Sequence, residues 1–498
     1  MSSLRSIPDT FSGADVFITG GSGFMGKVLI EKLLRSCPGV GKVFVLIRER
    51  RGKTGSDRID ELVKVPLFDV IRQNCPKVLD KLVPVNGDCS QLKLGLDDAS
   101  WKQLENVQFV FHAAASVRFD DPLQKAILLN TRGTREALEW ASTLKKLKAF
   151  IHVSTTFSNC ELAEIEERLY PAKMNWKKSI ELAETLNTEV LEVLSAKLLG
   201  DSPNTYTYSK SIAEHVANDY GKRLPVVIFR PAVVTSAEKE PLPGWIDNFN
   251  GPAGLAAGCA SGVLRTGCIN MKAHIDCIPV DVCIKAILVA AWLRAHASAE
   301  ATIPVPVYNC APHKHKSASF WLMVDEGIRL NEIFPVSRML WKPSFTNYCC
   351  MSAYYLAFFL YQLLPSLLFD IVLRTTGHKP MLMKLQRKIF HAVVTLGRFN
   401  AEWIFHSDNY HGMQKEILEE DRKQFGLAYM NEGITQYGLV CHKGGRRYLF
   451  KDPDSTLPQA VIQFNRMVWL DRALKLIWYG VSSILVYIYA YPLINCYL

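Results

Sequence analysis

The sequence lacks any paired cysteine motif. Its 13 cysteines are scattered along the chain, and no two of them are spaced as C-x-x-C. Cys349 and Cys350 are adjacent, but no partner pattern lies near them. Scattered thiols of this kind are typical of a reduced, cytosol-facing protein and not of a disulfide framework. We therefore predict neither structural disulfides nor a metal site.

The N-terminal residues lack an apolar run. Positions 1–11 include Arg5 and Asp9, so we expect no secretory signal peptide there. The chain also has no internal repeat and no low-complexity tract. Any membrane attachment must then come from inside the chain or from its end.

The charge and composition limit the classes of partner. The 498 residues include 58 Lys and Arg against 48 Asp and Glu, which gives a formal net charge of +10. Such a basic chain suits anionic ligands or an anionic membrane surface. It has neither zinc-finger spacing nor an RNA-binding aromatic motif, so we predict no nucleic acid partner. With 49% hydrophobic residues, a large core and two or three domains are expected.

Short apolar runs rich in β-branched residues alternate with helical patterns up to about residue 290. The predicted strands are Asp15–Thr19, Lys42–Ile47, Leu82–Asn86, Val107–His112, Phe150–Ser154 and Pro225–Phe229. Continuous apolar runs separated by helices indicate βαβ units and a parallel sheet that is buried on both faces. The predicted fold class is therefore α/β, with a Rossmann-type doubly wound parallel sheet and a mostly helical C-terminal region.

Two long stretches contain no charged residue. Leu476–Leu498 has 23 residues, which as a helix would reach roughly 34 Å and cross a hydrocarbon layer of about 30 Å. Arg472 and Lys475 precede it, as expected for a cytosolic flank. We expect a C-terminal transmembrane helix there. Ser344–Phe369 is aromatic and is interrupted by Pro365, which favours an interfacial or re-entrant element, or a wall of an apolar pocket, over a second span.

A glycine-rich turn follows the first strand. Residues 19–26 read T-G-x-x-G-x-x-G between a strand and an apolar helix, which is the context of a dinucleotide site. Gly20 would form the tight turn, Gly23 would admit a pyrophosphate, and Gly26 would let the helix pack on the strand. The helix N-terminus would attract the phosphates. Thr19 and Phe24 complete the cofactor contacts predicted in this turn.

The residues after the second strand bear on the choice of cofactor. Arg48 and Arg50 stand where an NAD-dependent enzyme usually has a carboxylate, and arginine suits the 2′-phosphate of NADPH. We therefore predict NADPH. Asp88 follows the third strand, where it either meets the adenine or caps a helix. The remaining predicted cofactor contacts are strand-end residues, namely Ala113, Ala114, Pro231 and Val233.

A tyrosine and a lysine with helical spacing are the catalytic candidates. Tyr206 and Lys210 are four residues apart, so both project from one helix face. A nearby ammonium and a positive nicotinamide ring would lower the pKa of the phenol, whose reference value is about 10, and make it a proton donor. Tyr208 lacks such a partner, because Ile212 follows it at that spacing. Thr155 is the favoured hydroxyl for holding a substrate oxygen, with Ser154 and Thr156 as alternatives.

Several further motifs carry a family resemblance. They are the segments 23–28, 31–38, 111–119, 153–155, 239–254 and 278–281, together with 382–396, 402–405 and 451–458 in the C-terminal part. The chain resembles the alcohol-forming fatty acyl-CoA reductases of eukaryotes, notably the insect ones, within the extended short-chain dehydrogenases. It departs from the family at Thr155-Thr156-Phe157, where many members have Thr-Ala-Tyr, and this leaves the choice of hydroxyl open.

The resemblance implies an NADPH-dependent, four-electron reduction of a long-chain or very-long-chain fatty acyl-CoA to a primary alcohol. It also implies a membrane-attached enzyme of the endoplasmic reticulum or peroxisome, with the lipid bilayer as a partner, and we include a homodimer in the expectation. The expected segments are a Rossmann and acyl-substrate domain (1–342), an apolar segment (343–375), a helical domain (376–470) and a tail anchor (471–498). The alternatives are a membrane-bound sterol-type hydroxy dehydrogenase and a non-enzymatic redox-sensing binder.

Overall fold

The computed structural model describes residues 4–49, 52–297, 304–313, 316–398 and 402–497. Strands occur along most of this length, and several are only two or three residues long. They are β1 (Asp15–Thr19), β2 (Val43–Ile47), β3 (Leu82–Asn86), β4 (Val107–His112), β5 (Ala149–Val153), β6 (Glu164–Ile165), β7 (Val226–Pro231), β8 (Val233–Thr235), β9 (Thr266–Gly267), β10 (His274–Ile275), β11 (Cys277–Pro279), β12 (Val307–Cys310), β13 (Ala318–Ser319), β14 (Thr346–Asn347) and β15 (Ile404–Phe405).

Helices make up much of the remaining chain, and they range from one turn to more than ten. They are α1 (Ile7–Phe11), α2 (Phe24–Ser36), α3 (Gly55–Val63), α4 (Asp69–Asn74), α5 (Asp98–Gln103), α6 (Leu123–Ala126), α7 (Gly133–Ala141), α8 (Trp176–Thr185), α9 (Thr188–Leu199), α10 (Thr205–Gly221), α11 (Gly251–Ala260), α12 (Val280–His296), α13 (Phe320–Ile333), α14 (Met351–Phe358), α15 (Leu364–Thr375), α16 (Leu382–Arg398), α17 (Asp408–Glu416), α18 (Arg422–Phe425), α19 (Ile434–Gly444) and α20 (Leu457–Tyr497).

The chain divides into two compact units whose segments interleave in sequence. The first unit comprises Met1–Trp245, Ile275–Ser317 and Ala401–Ile434, and the second comprises Ile246–His274, Ala318–Asn400 and Thr435–Leu498. Residues 401–434 thus belong to the first unit although more than eighty residues of the second precede them in the chain. Each compact unit is therefore assembled from segments that are separated in the sequence.

The first unit is built on a seven-stranded sheet with the order β12-β7-β5-β4-β1-β2-β3. Each neighbouring pair is parallel, which confirms the predicted Rossmann-type sheet. From β1 the order runs outwards through β2 and β3 on one side and through β4 on the other. This reversal is the switch point at which doubly wound sheets bind ligands beyond the carboxyl ends of their strands.

The sheet is buried on both faces, which explains its continuous apolar runs. All five residues of β2 and of β5 are buried. On one face Phe17 contacts Trp140 of α7 with ring centroids 4.6 Å apart, and residues of α10 join the same core. Ile18 points to the other face, where α2 and α12 pack together. These two layers of helices hold the strand ends in fixed positions.

The second unit is mainly helical. A cluster formed by Leu264, Tyr354, Phe358 and Val393 is its core near α14 and α16, and β9 pairs with β14 at Thr266 and Thr346. Among the residues whose side chains the structure describes, one stretch, Met351–Thr375, is long and apolar enough to cross a membrane by length and composition.

Candidate active site

The glycine-rich turn lies directly against the end of β4. Gly20 has a positive φ of 76°, and a Cβ added there would lie 2.7 Å from backbone atoms of Ala113 and Ala114. A Cβ at Gly26 would lie 2.2 Å from the carbonyl oxygen of Gly20. Any larger residue at either position would force the backbone apart. The structure therefore brings together the predicted residues of β1, α2 and β4.

The outer side of this turn is open. Gly23 is the N-cap residue of α2, and no side-chain hydrogen bond caps the helix there. A Cβ at Gly23 would approach only the oxygen of Gly20, at 3.1 Å. The N–H groups of the first helical turn and the positive end of the helix dipole thus face a surface without a side chain, which fits a pyrophosphate. Thr19 lies beneath, fully buried, and its hydroxyl accepts the N–H of Ala114 at 3.2 Å.

An aromatic stack supports the turn from a distant part of the same unit. Phe24 packs on Trp245 with ring centroids 5.4 Å apart and planes 19° apart, and Trp245 is 2% exposed. The segment leading to Trp245 is held by Asp281, whose carboxylate accepts the N–H groups of residues 238–240. Sequence reasoning placed Phe24 at the cofactor but missed Trp245 as its support, because 221 positions separate them.

Arg48, which is predicted to select the cofactor, forms an ion pair with Asp88, the acidic residue after β3. Arg48 is 62% exposed at its side chain and lies 3.6 Å from the carboxylate of Asp88. Asp88 also accepts the N–H and the hydroxyl of Ser90, both at 2.8 Å, so it stabilises the turn after β3. Arg50 lies outside the described residues. Arg48 thus follows β2 directly, with its guanidinium close to solvent.

The catalytic candidates meet beyond the carboxyl end of β5. The hydroxyl of Thr155 lies close enough to that of Tyr206 to lower its pKa, and the Tyr206 ring contacts Phe119 with centroids 5.9 Å apart. Lys210 is buried one turn along α10 and donates to the carbonyl oxygen of Val153 at 2.7 Å. Helix α10 begins at Asn204, whose side chain accepts the N–H of Thr207 at 2.9 Å. The three residues predicted from sequence therefore form one cluster.

The pKa of Tyr206 differs from the expected direction. Burial raises the pKa of Tyr206 to about 12, and the neighbouring Thr155 hydroxyl only partly opposes that effect. Burial likewise lowers the pKa of Lys210 to about 8, although Glu214 favours its charged form. The predicted lowering depends on the lysine and a positive nicotinamide ring together, and in the chain by itself desolvation of the phenolate dominates. Tyr206 is a protonated hydroxyl at neutral pH.

Neighbouring hydroxyls at the end of β5 have other partners. Ser154 donates to Glu214 at 2.5 Å, and Glu214 forms a fully buried ion pair with Arg230 at 2.7 Å. The attraction of Arg230 holds the pKa of Glu214 below its usual value against the opposing effect of burial. The hydroxyl of Thr156 is buried and has no hydrogen-bond partner within the described part of the chain. Glu214 stands four residues after Lys210, a spacing that could have identified it.

Two buried histidines lie below this cluster on adjacent strands. His112 and His152 are paired in register, and their rings stack with centroids 5.8 Å apart. His112 is hydrogen-bonded to Thr19 at 2.9 Å and to Thr134 at 3.2 Å. Burial, reinforced by the charge of Lys210, lowers the pKa of His112 to about 3 and the pKa of His152 well below its usual value. Both imidazoles are therefore neutral and serve as packing groups of the sheet.

The last strand end of the site belongs to β7. Pro231 is its final residue, paired in register with Cys310 of β12, and Val233 begins β8, which runs parallel to β11. Asn130, in the turn before α7, accepts the N–H of Ser116 at 2.9 Å and donates to the hydroxyl of Ser209 at 3.0 Å. It therefore ties the β4 end to the catalytic helix.

Comparison with known families agrees with this geometry. The family model described as male sterility protein matches residues 18–287, and a second model with the same description matches residues 361–452. Fatty acyl-CoA reductase wat of Drosophila melanogaster is 36% identical over 94% of this chain and 90% of its own length. Fatty acyl-CoA reductase 1 of Xenopus laevis is 35% identical over 97% of this chain and 92% of its own length.

Solved structures share the fold at much lower identity. The terminal reductase domain of the myxalamid biosynthetic pathway is 18% identical, with a TM-score of 0.56 over 89% of this chain and 93% of that one. This similarity concerns the fold alone. The matches to relatives over nearly the whole chain, taken with the dinucleotide turn, show that the protein is an oxidoreductase with a nicotinamide cofactor and belongs to the fatty acyl-CoA reductase family.

Proposed function

We propose that the protein reduces a long-chain or very-long-chain fatty acyl-CoA to the primary alcohol and free CoA, and that it uses two molecules of NADPH for each acyl chain. The observation that carries the proposal is that Tyr206, Thr155 and Lys210 form one cluster beyond the carboxyl end of β5, where Lys210 donates to the carbonyl oxygen of Val153. The names of the relatives support the substrate class.

The residues of the dinucleotide turn would hold the cofactor. Gly20, Gly23 and the first turn of α2 would bind the pyrophosphate, and Arg48 would bind the 2′-phosphate. Ala113, Ala114, Pro231 and Val233 would line the cofactor at the strand ends. When bound, NADPH supplies the hydride for each of the two reductions. The positive charge of Lys210 stabilises negative charge near Tyr206.

Two hydroxyls would act on the substrate oxygen. Thr155 holds the thioester oxygen by hydrogen bonding, and Tyr206 gives its hydroxyl proton to that oxygen as the carbon is reduced. The resulting hemithioacetal loses its carbon–sulfur bond and releases CoA as the free thiol, which leaves an aldehyde. Tyr206 takes up a proton from solvent between the two reductions. The same two hydroxyls then hold and protonate the aldehyde oxygen, and the product is a primary alcohol. Each reduction adds two electrons, so the whole reaction consumes four.

We also propose that residues 476–498 anchor the protein in a membrane and leave the catalytic unit in the cytosol, at the endoplasmic reticulum or the peroxisome. Residues 476–497 lie in α20, and the large apolar side chains described between Leu476 and Ile488 are 47–73% exposed. A run of exposed apolar residues this long is typical of a lipid-facing helix. An anchored enzyme would meet water-soluble acyl-CoA from the cytosol and release its alcohol into the bilayer.

Product stoichiometry tests the proposed reaction. Purified full-length protein is given NADPH and a series of acyl-CoAs of increasing chain length, and NADPH oxidation, free thiol and product are measured together. We expect two NADPH oxidised for each CoA released, with a primary alcohol as the product. One NADPH per CoA with accumulating aldehyde would contradict the second reduction. Inactivity on every acyl-CoA together with oxidation of a hydroxysterol would favour a sterol-type dehydrogenase.

A further inference from the structure

The helical segment formed by α14, α15 and the π-helical turn between them has two different faces. One face is a stripe with four-residue spacing that is buried in the second unit, formed by Tyr354, Phe358, Gln362, Ser366 and Asp370. The other face carries large apolar side chains that are 37–61% exposed. They are Met351, Tyr355, Leu356, Phe359, Leu360, Tyr361, Leu364, Leu367, Leu368, Phe369, Ile371 and Val372, which together we call the apolar platform.

Specific polar contacts fix the buried stripe. Gln362 accepts the N–H of Arg265 at 2.8 Å and donates to the hydroxyl of Thr266 at 2.7 Å. Asp370 accepts the N–H groups of residues 381–383 at 2.9–3.0 Å and thereby caps the start of α16. Tyr354 and Phe358 pack on Phe390 of the same helix. The segment is therefore one side of a folded unit and not a free helix.

These contacts are incompatible with a bilayer-spanning position. Gln362 lies at the centre of Met351–Thr375. If this segment spanned the membrane, the hydrogen-bond partners of Gln362, Arg265 and Thr266, would lie in the middle of the hydrocarbon layer. Asp370 would enter the same layer with a charged carboxylate. Extended backbone and charged groups are costly in hydrocarbon. A helix that lies along the surface exposes only its apolar face to lipid and keeps the polar stripe on the protein side.

The charges around the apolar platform have one sign. Between Ser344 and Arg398 the only acidic residue is Asp370, and its carboxylate is occupied by the start of α16. The exposed charged side chains that follow the platform are all basic, namely Arg374, Lys379, Lys384, Arg387 and Lys388. An apolar face that is followed in the sequence by exposed cations is complementary to a leaflet that contains anionic lipid.

We propose that the apolar platform lies flat in the interface of a bilayer containing anionic lipid, as a membrane contact separate from the C-terminal anchor. The platform inserts its aromatic and aliphatic side chains to the depth of the headgroup boundary, while the basic residues bind lipid phosphates. It would hold the second unit against the surface into which a fatty product partitions.

Photoactivatable lipids with reactive groups at two depths test this position. The full-length protein is reconstituted in vesicles whose lipids carry a diazirine either near the headgroup or at the end of the acyl chain, and labelled peptides are identified by mass spectrometry. We expect peptides from 351–372 to be labelled by the shallow probe at least about five-fold more than by the deep one. Residues 476–498 serve as the reference for the deep probe.

The charge requirement is tested in the same system. Adding phosphatidylserine to phosphatidylcholine vesicles should increase shallow labelling of the apolar platform several-fold, and the variant K384Q/K388Q should lose most of that increase. The matched control is K177Q/K178Q on α8, which also removes two exposed cations but should leave the labelling unchanged. Equal labelling of all three proteins would overturn the role of the basic residues.

The remaining outcomes are decisive. Deep labelling centred on Leu364 would show that the segment spans the membrane, and absence of labelling by either probe would show that lipid does not cover it. Either result overturns the proposal. If residues 476–498 remain unlabelled while the apolar platform is labelled, the C-terminal anchor fails and the platform stands.

Discussion

The hydroxyl of Thr155 lies beside that of Tyr206 and lowers its pKa against the opposing effect of burial. These two residues bring the first turn of α10 together with the second residue after β5. Because both groups can donate and accept, a substrate oxygen could replace either one as the partner of the other. The pair thus provides two hydrogen-bond donors for one oxygen at the carboxyl edge of the sheet.

Removal of the Tyr206 hydroxyl tests the proton donor. We expect Tyr206→Phe to lower kcat by at least about 100-fold, which is the usual contribution of positioned proton transfer, while NADPH binding is retained. Tyr208→Phe is the matched control, since its hydroxyl contacts only Met174 at 3.6 Å and Ser179 within the core. Near-normal turnover by the Tyr206 variant would remove this residue from its role.

Ser154 and Thr155 should respond differently to loss of their hydroxyls. Thr155→Val should lower kcat by about 10-fold or more with little change in stability, because its hydroxyl contacts Tyr206. Ser154→Ala should instead lower the free energy of unfolding by about 1–2 kcal/mol, because Glu214 loses a buried donor. Kinetics and thermal melts of the two variants separate these effects. A larger loss of kcat in Ser154→Ala would reverse the assignment.

The charge of Lys210 should determine how NADPH binding depends on pH in the alkaline range. Its pKa is lowered to about 8 in the folded chain, so the proton is lost as pH rises through about 8, well before it is lost in the unfolded chain. The unfolded state binds more protons in this window, so stability should rise with pH there while the attraction for NADPH falls. We expect the KM for NADPH to increase above pH 8.

The matched variant for this pH dependence is Lys210→Arg, whose side chain keeps its positive charge over the pH range in which the lysine loses it. Its KM for NADPH should be nearly independent of pH between 7 and 9.5, whatever its absolute value. An alkaline rise in KM that is identical in both proteins would assign the titration to another group.

Arg48 and Arg50 should select NADPH over NADH. Replacing both with glutamine should raise the KM for NADPH at least about 10-fold and change the KM for NADH little, because only NADPH carries the 2′-phosphate. Arg329→Gln is the control, since Arg329 is also exposed and paired with a neighbouring carboxylate, that of Glu326. Equal effects on the two cofactors would mean that these arginines are ordinary surface charges.

Most of the central sheet was predictable because each strand is buried on both faces and therefore has an almost unbroken apolar run. The seventh strand, β12, was not, because Asn309 interrupts its pattern. The structure shows why the polar residue is there: it is fully buried and donates to the carbonyl oxygens of Ile165 and His406 at 3.1 and 2.8 Å. These partners are remote in sequence, so no local pattern indicates them.

The site was predictable at the level of motifs but not of individual hydroxyls. The spacing of Tyr206 and Lys210 follows from helix geometry, whereas the choice between Ser154 and Thr155 depends on Glu214, which binds Ser154 from α10. The raised pKa of Tyr206 depends on burial, which residue spacing does not report. Residue spacing also does not report why residues 401–434 belong to the first unit. They are held there by contacts remote in sequence, such as those of Glu167, whose carboxylate accepts the backbone N–H groups of Asn409 and Tyr410 at 2.5 and 3.0 Å.

Truncation after Lys475 tests the C-terminal anchor. This cut keeps the ion pair between Asp471 and Lys475, at 2.7 Å, and the bond from Trp341 to Asp471, so the contacts of α20 within the second unit are preserved. We expect the full chain to stay in the membrane pellet after carbonate extraction and the truncated chain to be released, because a surface-bound platform alone does not resist carbonate. The full chain with Val193→Glu, a change at an exposed apolar residue of α9, should behave like the unmodified protein. If the truncated chain remains in the pellet, the anchor lies elsewhere, and Met351–Thr375 would have to span the bilayer after all.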